Sequence, residues 1–298
     1  MPTHCNNLSY KELEKVIPIY LKHCTIERGF SPKTVKNKRH CLYRLLRFLR
    51  TVRLSLESLK RYTEYIYNKE WSNSSIATEL KIIKTFINFL ESHKYIEQSW
   101  SSEVVLPKVK RRPFNIVPAE VAEKIIVTGS EPGMHDHRFH QKSKSEHRAA
   151  LRFVLRTGLR MSELLSLKYL DINLKSFTYS VNSKGGNIDV LPFPGDMLWE
   201  VSKRKHQERL FKVHPEGMNR TLRRGSHRLD IKPHLTVHTL RHIFCTSLLK
   251  KGVSLQIVSR LMRHSNVGIT DKTYSHYLLE DLSKGLEKHP LINTHAHK

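Results

Sequence analysis

Between Pro32 and Val52 the chain repeats apolar residues at helical spacing, Val35, Leu42, Leu45, Leu46 and Leu49, and fills the other faces with Lys33, Lys36, Lys38, Arg39, Arg44, Arg47 and Arg50. Ser31 and Pro32 supply an N-cap and a first-turn proline. Such a segment folds as a helix with one buried stripe, and that stripe needs partner helices to cover it. The seven cations have no acidic neighbour anywhere in the stretch. A solvated face is the ordinary outcome for charged residues on a helix, but so unbalanced a surface predicts contact with phosphates.

The surrounding sequence provides the partners. Ser9-Tyr-Lys-Glu12 is a capping box that opens a helix to about Glu27, with Gly29 as its breaker. Leu56, Leu59, Tyr62 and Ile66 predict a third helix; Ile76, Leu80, Ile83, Phe86, Ile87 and Leu90 predict a fourth. A compact four-helix unit is expected. Periodicity then dissolves after Ser101 into Leu106-Pro-Lys-Val-Lys-Arg-Arg-Pro-Phe114, which reads as an extended basic linker. The domain boundary is accordingly expected between residues 1–112 and 113–298.

The second half is mixed. A helix is predicted over Glu120 to Val127, then a polar loop from Gly129 to Glu146 carrying His135, His137 and His140 without metal-ligand spacing. A helix from His147 stops at Gly158, and another spans Arg160 to Leu167. Phe177, Tyr179 and Val181 alternate as a strand, Ser183-Lys-Gly-Gly-Asn187 turns the chain, and Ile188, Val190 and Pro192 return it. Everything after Pro194 reads as helical. The fold class is mainly α with a small β-hairpin or sheet.

Lys and Arg number 52 against 27 acidic residues, a formal net charge of +25 with a pI near 10. The cations are spread along the chain, so a folded positive surface is expected, and nucleic acid is its simplest partner. No apolar run approaches the ~20 residues of a membrane span, and the first residues hold no apolar signal core. Cys5, Cys24, Cys41 and Cys245 lack CxxC spacing. They suit reduced thiols and a cytoplasmic, nucleoid-associated protein.

Chemistry concentrates in the second half. Arg160 and Glu163 stand three apart and share a helix face, as do His238 and Arg241. Lys184 sits in the Gly-Gly turn, His264 follows Met262-Arg263, and Tyr274 lies in Thr273-Tyr-Ser-His276. Each has a bland reading: a surface ion pair, a solvated turn lysine, a half-buried helical tyrosine. His238 and His242 are four apart, yet no Glu follows His238 as a zincin motif requires. Taken together in this order, they comprise one nucleophile, two guanidinium groups, two imidazoles and one ammonium. That set can break a phosphodiester bond without a metal: a phenolate attacks, planar cations hold the non-bridging oxygens, and a lysine protonates the departing oxygen.

Thr157-Gly-Leu-Arg-Met-Ser-Glu-Leu-Leu-Ser-Leu167 with Asp171, Ser183-Lys-Gly-Gly186 with Pro192, His238-Thr-Leu-Arg-His-Ile-Phe-Cys-Thr246, Leu261-Met-Arg-His264 and Thr273-Tyr-Ser-His276 together resemble the tyrosine site-specific recombinases of the phage-integrase family. The resemblance spans nearly the whole chain. It implies a helical SAM-like core-binding domain over 1–112 and a catalytic domain over 113–298, closing as a clamp on double-stranded DNA. Carried over residue by residue, Arg160, Lys184, His238, Arg241, His264 and Tyr274 fill the active-site positions, and Glu163 matches the supporting acidic one. It also implies a 3′-phosphotyrosine intermediate, no cofactor, no metal, and a tetrameric synapse held by the apolar C-terminal tail (Leu278, Leu279, Leu282, Leu286, Leu291), with an accessory protein as a further partner.

The chain departs from the family pattern in three places. Met262-Arg263-His264 stands where relatives often have Leu-Gly-His, which predicts an extra cation beside the site. The loop from Gly129 to Glu146 is expected to be longer than usual. The start so near the first core-binding helix favours a simple Xer-like enzyme of a mobile element or replicon over one with an added arm-binding domain. Two other readings use the same surface: a nicking-closing enzyme of topoisomerase type, and a non-catalytic DNA-binding accessory protein, which the complete set of six residues argues against.

Overall fold

The computed structural model describes residues 7–109, 117–132, 138–182, 187–205, 207–232 and 234–263, the side chains of 138–142 excepted. The chain divides into two compact units, Met1–Pro113 and Phe114–Lys298.

The described residues of the first unit form four α-helices: α1 (Tyr10–Ile26), α2 (Pro32–Phe48), α3 (Leu56–Tyr67) and α4 (Asn73–Ser92). Serine caps each one. The Ser9 hydroxyl accepts from the Glu12 amide while Glu12 Oε2 accepts from the Ser9 amide at 2.7 Å, the reciprocal bond expected from the sequence. Ser31, Ser55 and Ser72 cap the other three. The apolar stripes meet in one core in which Leu42, Leu45, Tyr62, Leu80, Ile83, Phe86, Ile87 and Leu90 are fully or nearly fully buried.

The basic helix α2 needs two corrections. Lys38 is buried, not on the phosphate-facing surface; its Nζ donates to Tyr20 Oη at 2.9 Å and Thr85 Oγ1 at 3.0 Å. A charge so enclosed pays a desolvation cost, and burial lowers the Lys38 pKa. Arg44 stacks over Trp71 at 4.6 Å and lies 3.7 Å from Glu79, whose other neighbour is the Tyr62 hydroxyl at 2.8 Å. The acidic partner that α2 lacks in sequence arrives from α4. Lys33, Lys36, Arg39, Arg47 and Arg50 stay exposed.

The second unit runs α5 (Ala119–Ser130), α6 (Arg138–Thr157), α7 (Met161–Ser166), β1 (Ile172–Asn173), β2 (Thr178–Asn182), β3 (Ile188–Pro192), α8 (Leu198–Ser202), α9 (Pro215–Arg228), α10 (Val237–Lys250) and α11 (Leu255–Leu261). α5 and α9 pack so closely that a Cβ on Gly225 would stand 2.0 Å from the Ile125 carbonyl. The apolar face of α6, Ala150, Leu151, Phe153 and Val154, lies at the centre of the core.

Three expectations change here, and one strand is added. The loop expected from Gly129 to Glu146 is mostly helix: α5 continues to Ser130 and α6 begins at Arg138. Its polar stretch contains neither Gly nor Pro after Arg138, so it extends the helix whose apolar face starts later. Among the described residues the small sheet has three antiparallel strands in the order β1-β2-β3, with Ile172 opposite Tyr179 and Tyr179 opposite Leu191. A two-residue strand carries no periodic signal. Phe177 is not in the strand but in the turn before it, exposed, with φ +50°. Residues after Pro194 are not uniformly helical either: 207–214 run irregularly between α8 and α9. Cys24 and Cys41 are buried free thiols, and Cys245 is buried as well; Cys5 lies outside the described residues.

Candidate active site

α6 ends where Gly158 turns left-handed at φ +62°; a Cβ there would meet the Phe244 ring at 2.4 Å. The turn frees the Gly158 carbonyl to face inward and lets Arg160 become the N-cap of α7. Glu163 closes that cap: its Oε2 accepts from the Arg160 amide at 2.8 Å and its Oε1 from Arg160 Nη1 at 2.6 Å. The pairing foreseen at i, i+3 is therefore bonded through both backbone and side chain. Glu163 is buried; burial pushes its carboxyl pKa up, but the Arg263 charge and the bonds from Arg160 outweigh that and hold it below the usual carboxylate range.

α10 supplies the other wall. Thr236 caps it by accepting from the Thr239 amide, which places Val237, His238 and Arg241 on its first turns. Arg241 is buried; Nη1 donates to the Gly158 carbonyl and Nη2 to the Met262 carbonyl. His238 is exposed at the rim, its Nε2 3.0 Å from Nε2 of His242. Desolvation first, then the Arg241 and Arg160 charges, lowers the His238 pKa, so its ring is neutral at rest.

Arg160, His238 and Arg241 line one cleft of about 270 Å³ together with Leu159, Met161 and Val237. Its floor is apolar, its polar groups are two guanidiniums and an imidazole, and the positive end of α10 opens beside it. Such a cleft suits a tetrahedral oxyanion of the phosphate type. Lys184, His264 and Tyr274 lie outside the described residues. Among the described residues no cluster of His, Cys, Asp and Glu could hold a metal.

Two neighbours take roles that the sequence reading did not give them. His242 was read only as a weak metal partner, whereas it bonds to His238 itself. Arg263 was expected as an extra cation beside the site; it is buried instead. Its Nη2 donates to Glu163 Oε2 at 2.9 Å and to the Gly158 carbonyl at 3.2 Å, and its Nη1 to the Leu261 carbonyl at 2.7 Å. Its φ is +51°, a conformation that costs a non-glycine residue about 1–2 kcal/mol. The carbonyl of Arg263, turned by that φ, accepts from Arg160 Nη2 at 2.9 Å.

Comparison with known proteins bears on this geometry. Residues 118–280 match the model of the phage integrase family, and residues 17–94 match the phage integrase N-terminal SAM-like domain. The first match covers more than half the chain and contains the whole ordered set from Arg160 to Tyr274. The chain belongs to the phage integrase family, the tyrosine recombinases, which cleave and rejoin DNA.

Among its relatives, a tyrosine recombinase of Agathobacter rectalis is 26% identical over 96% of this chain and 98% of its own length. Tyrosine recombinase XerD of Vibrio vulnificus is 26% identical over 91% of this chain and 93% of its own. The fold is similar to that of XerH site-specific recombinase bound to palindromic difH substrate in a post-cleavage complex (TM-score 0.68, 17% identity, 94% of this chain and 84% of that one). It is also similar to a lambda integrase dimer bound to a COC′ core site (TM-score 0.71, 16% identity, 90% and 77%). No described helix is long and apolar enough to cross a membrane.

Proposed function

We propose that Arg160, Lys184, His238, Arg241, His264 and Tyr274 form the active site of a site-specific DNA recombinase. The convergence of Arg160, His238 and Arg241, from two distant segments, on one phosphate-sized cationic cleft carries this reading. The Tyr274 phenolate oxygen attacks the scissile phosphorus, and the bond to the 5′-oxygen breaks. Lys184 gives that oxygen its proton, leaving a 5′-hydroxyl and a 3′-phosphotyrosine. A 5′-hydroxyl from a partner duplex then attacks the phosphotyrosine and releases Tyr274, so no ATP is consumed.

Arg160 and Arg241 hold the non-bridging oxygens and stabilise the charge that grows on them in the transition state. Their other donors are bound to Glu163 and to main-chain carbonyls, so both forks are oriented before substrate arrives. His238, neutral at rest, can accept a proton as the phosphate raises its basicity, and His264 supports the same oxygens. With two guanidinium groups supplying positive charge, the reaction needs no divalent metal.

In the first unit, the exposed cations Lys33, Lys36, Arg39 and Arg47 on α2 and Arg50 just after it, with Lys108 and the basic residues after it, track phosphates of double-stranded DNA. Residues 1–112 serve as the core-binding domain and 113–298 as the catalytic domain of a simple Xer-like enzyme acting in the nucleoid. The apolar tail around Leu278, Leu279, Leu282, Leu286 and Leu291 joins protomers into a tetrameric synapse, with an accessory protein as a further partner.

A nicked suicide substrate in excess chelator tests the reading. The wild-type chain forms a covalent adduct that maps to Tyr274, and Tyr274→Phe binds DNA without forming one. An adduct at Tyr277, or one that requires magnesium, overturns the assignment. Absence of any adduct with intact DNA binding favours a non-catalytic accessory protein, and adducts without recombinant junctions favour a nicking-closing enzyme.

A further inference from the structure

We infer that Arg263 is a positioning residue that holds Glu163, and through it Arg160, in the geometry for cleavage; this rests on the assignment of Arg160 to the scissile phosphate. The side chain of Arg263 is 1% exposed, so it cannot reach DNA. What it touches is the support of the site. Glu163 Oε1 takes Arg160 Nη1, while Oε2 is shared between the Arg160 amide and Arg263 Nη2. The Gly158 carbonyl is likewise shared, between Arg263 Nη2 and Arg241 Nη1. One buried guanidinium thus meets the anchor points of both arginines that line the cleft.

Charge gives the arrangement its purpose. Arg160 paired with Glu163 alone is a neutral dyad, and its pull on a phosphate would be offset by the carboxylate behind it. With Arg263 the group becomes two cations and one anion, and the cleft keeps a net positive charge. Because the pair is buried, water screens this little.

The backbone adds a second link. Arg263 sits at φ +51°, where glycine rests without strain. Its side-chain contacts to Glu163, Gly158 and Leu261 hold it there, and in that conformation its carbonyl meets Arg160 Nη2. The next residue in the chain is His264. The same side chain therefore sets a carboxylate, a carbonyl and the backbone leading into the next proposed site residue.

Arg263→Gly separates this role from plain packing, because glycine suits the backbone while the guanidinium is lost. Single-turnover cleavage of a nicked substrate is expected to slow on the order of 10²-fold, with DNA affinity unchanged and the chain still folded at the assay temperature, although Glu163 loses a buried partner and Tm falls. Arg263→Lys, which restores the charge with a single-point donor, is expected to recover part of the rate. A wild-type rate for Arg263→Gly, or a rate loss matched by an equal loss of DNA affinity, overturns the inference.

A second readout does not depend on turnover. The Arg160 Nε–H signal in ¹⁵N NMR is expected to be ordered in the wild-type chain and mobile in Arg263→Gly; an unchanged signal overturns the positioning role. If the wild-type chain forms no adduct, the recombinase reading fails, while the Arg160 signal still decides whether Arg263 orders it.

Discussion

Nε2 of His238 and Nε2 of His242 lie 3.0 Å apart, their rings meeting edge to face with centroids 4.5 Å apart. At that distance one nitrogen donates and the other accepts, so a proton on both would place two donors against each other. The tautomers of His238 and His242 are therefore coupled. The turn of helix that brings residues i and i+4 together makes this contact, and the depressed pKa of His238 keeps its own ring neutral at rest.

The pairing can be tested directly. His242→Leu is expected to slow cleavage by up to about tenfold, the worth of one lost neutral hydrogen bond, while leaving DNA affinity unchanged. His242→Gln, which can donate or accept, is expected to keep most of the rate. Equal rates for wild type and His242→Leu in a single-turnover assay would show that the contact does not act on His238.

Lys184 as the general acid has its own chemical signature. Lys184→Ala is expected to slow cleavage by about 10²–10⁴-fold, the usual contribution of a positioned acid. Replacing the 5′-bridging oxygen of the substrate by sulfur is expected to restore most of that rate, since a thiolate leaves without a proton. Lack of rescue would shift the role to His238 or His264.

Charge on α2 is divided between exposed and internal residues, and salt titration distinguishes them. Arg39→Ala and Arg47→Ala are each expected to flatten the slope of log affinity against log salt by about 0.9 if each neutralises one phosphate. Lys38→Met is expected to leave that slope unchanged, because Lys38 spends its donors on Tyr20 and Thr85. It is also expected to hold or raise the Tm, since a buried cation with no carboxylate partner among the described residues is exchanged for an apolar chain. A flatter slope for Lys38→Met would place Lys38 on the DNA.

His147 provides a pH test of stability. Burial, then the Arg224 charge, lowers its pKa from 6.5, and its Nδ1 lies 3.2 Å from Thr221 Oγ1. The folded state prefers the neutral ring while the unfolded chain takes up the proton at its ordinary value. The stability it provides is thus fully present above pH 6.5 and is lost as pH falls below it. The fall in Tm between pH 6.5 and about pH 5 is expected to be shallower in His147→Gln; an equal fall would assign the acid sensitivity to other groups, His238 among them.

Local chemistry was legible in the sequence wherever neighbours along the chain decide it. The capping box at Ser9 and Glu12, the apolar stripes of α2 to α4, the Gly158 break and the Arg160–Glu163 pairing all act within four residues, so spacing alone determines them. The order of Arg160, Lys184, His238, Arg241, His264 and Tyr274 likewise sufficed to indicate the family, because the chemistry requires those residue types. What only the tertiary structure decided is which charges face water. Lys38 looks in sequence like a further surface cation, Arg263 like an extra cation beside the site, and Arg44 like a cation without an acidic partner. Folding buries Lys38 against Tyr20, carries Glu79 to Arg44 from α4, and turns Arg263 inward onto a carboxylate 100 residues away. Burial and long-range pairing depend on how helices pack against one another, and helical periodicity states only which face is apolar, not which long side chain folds back across it.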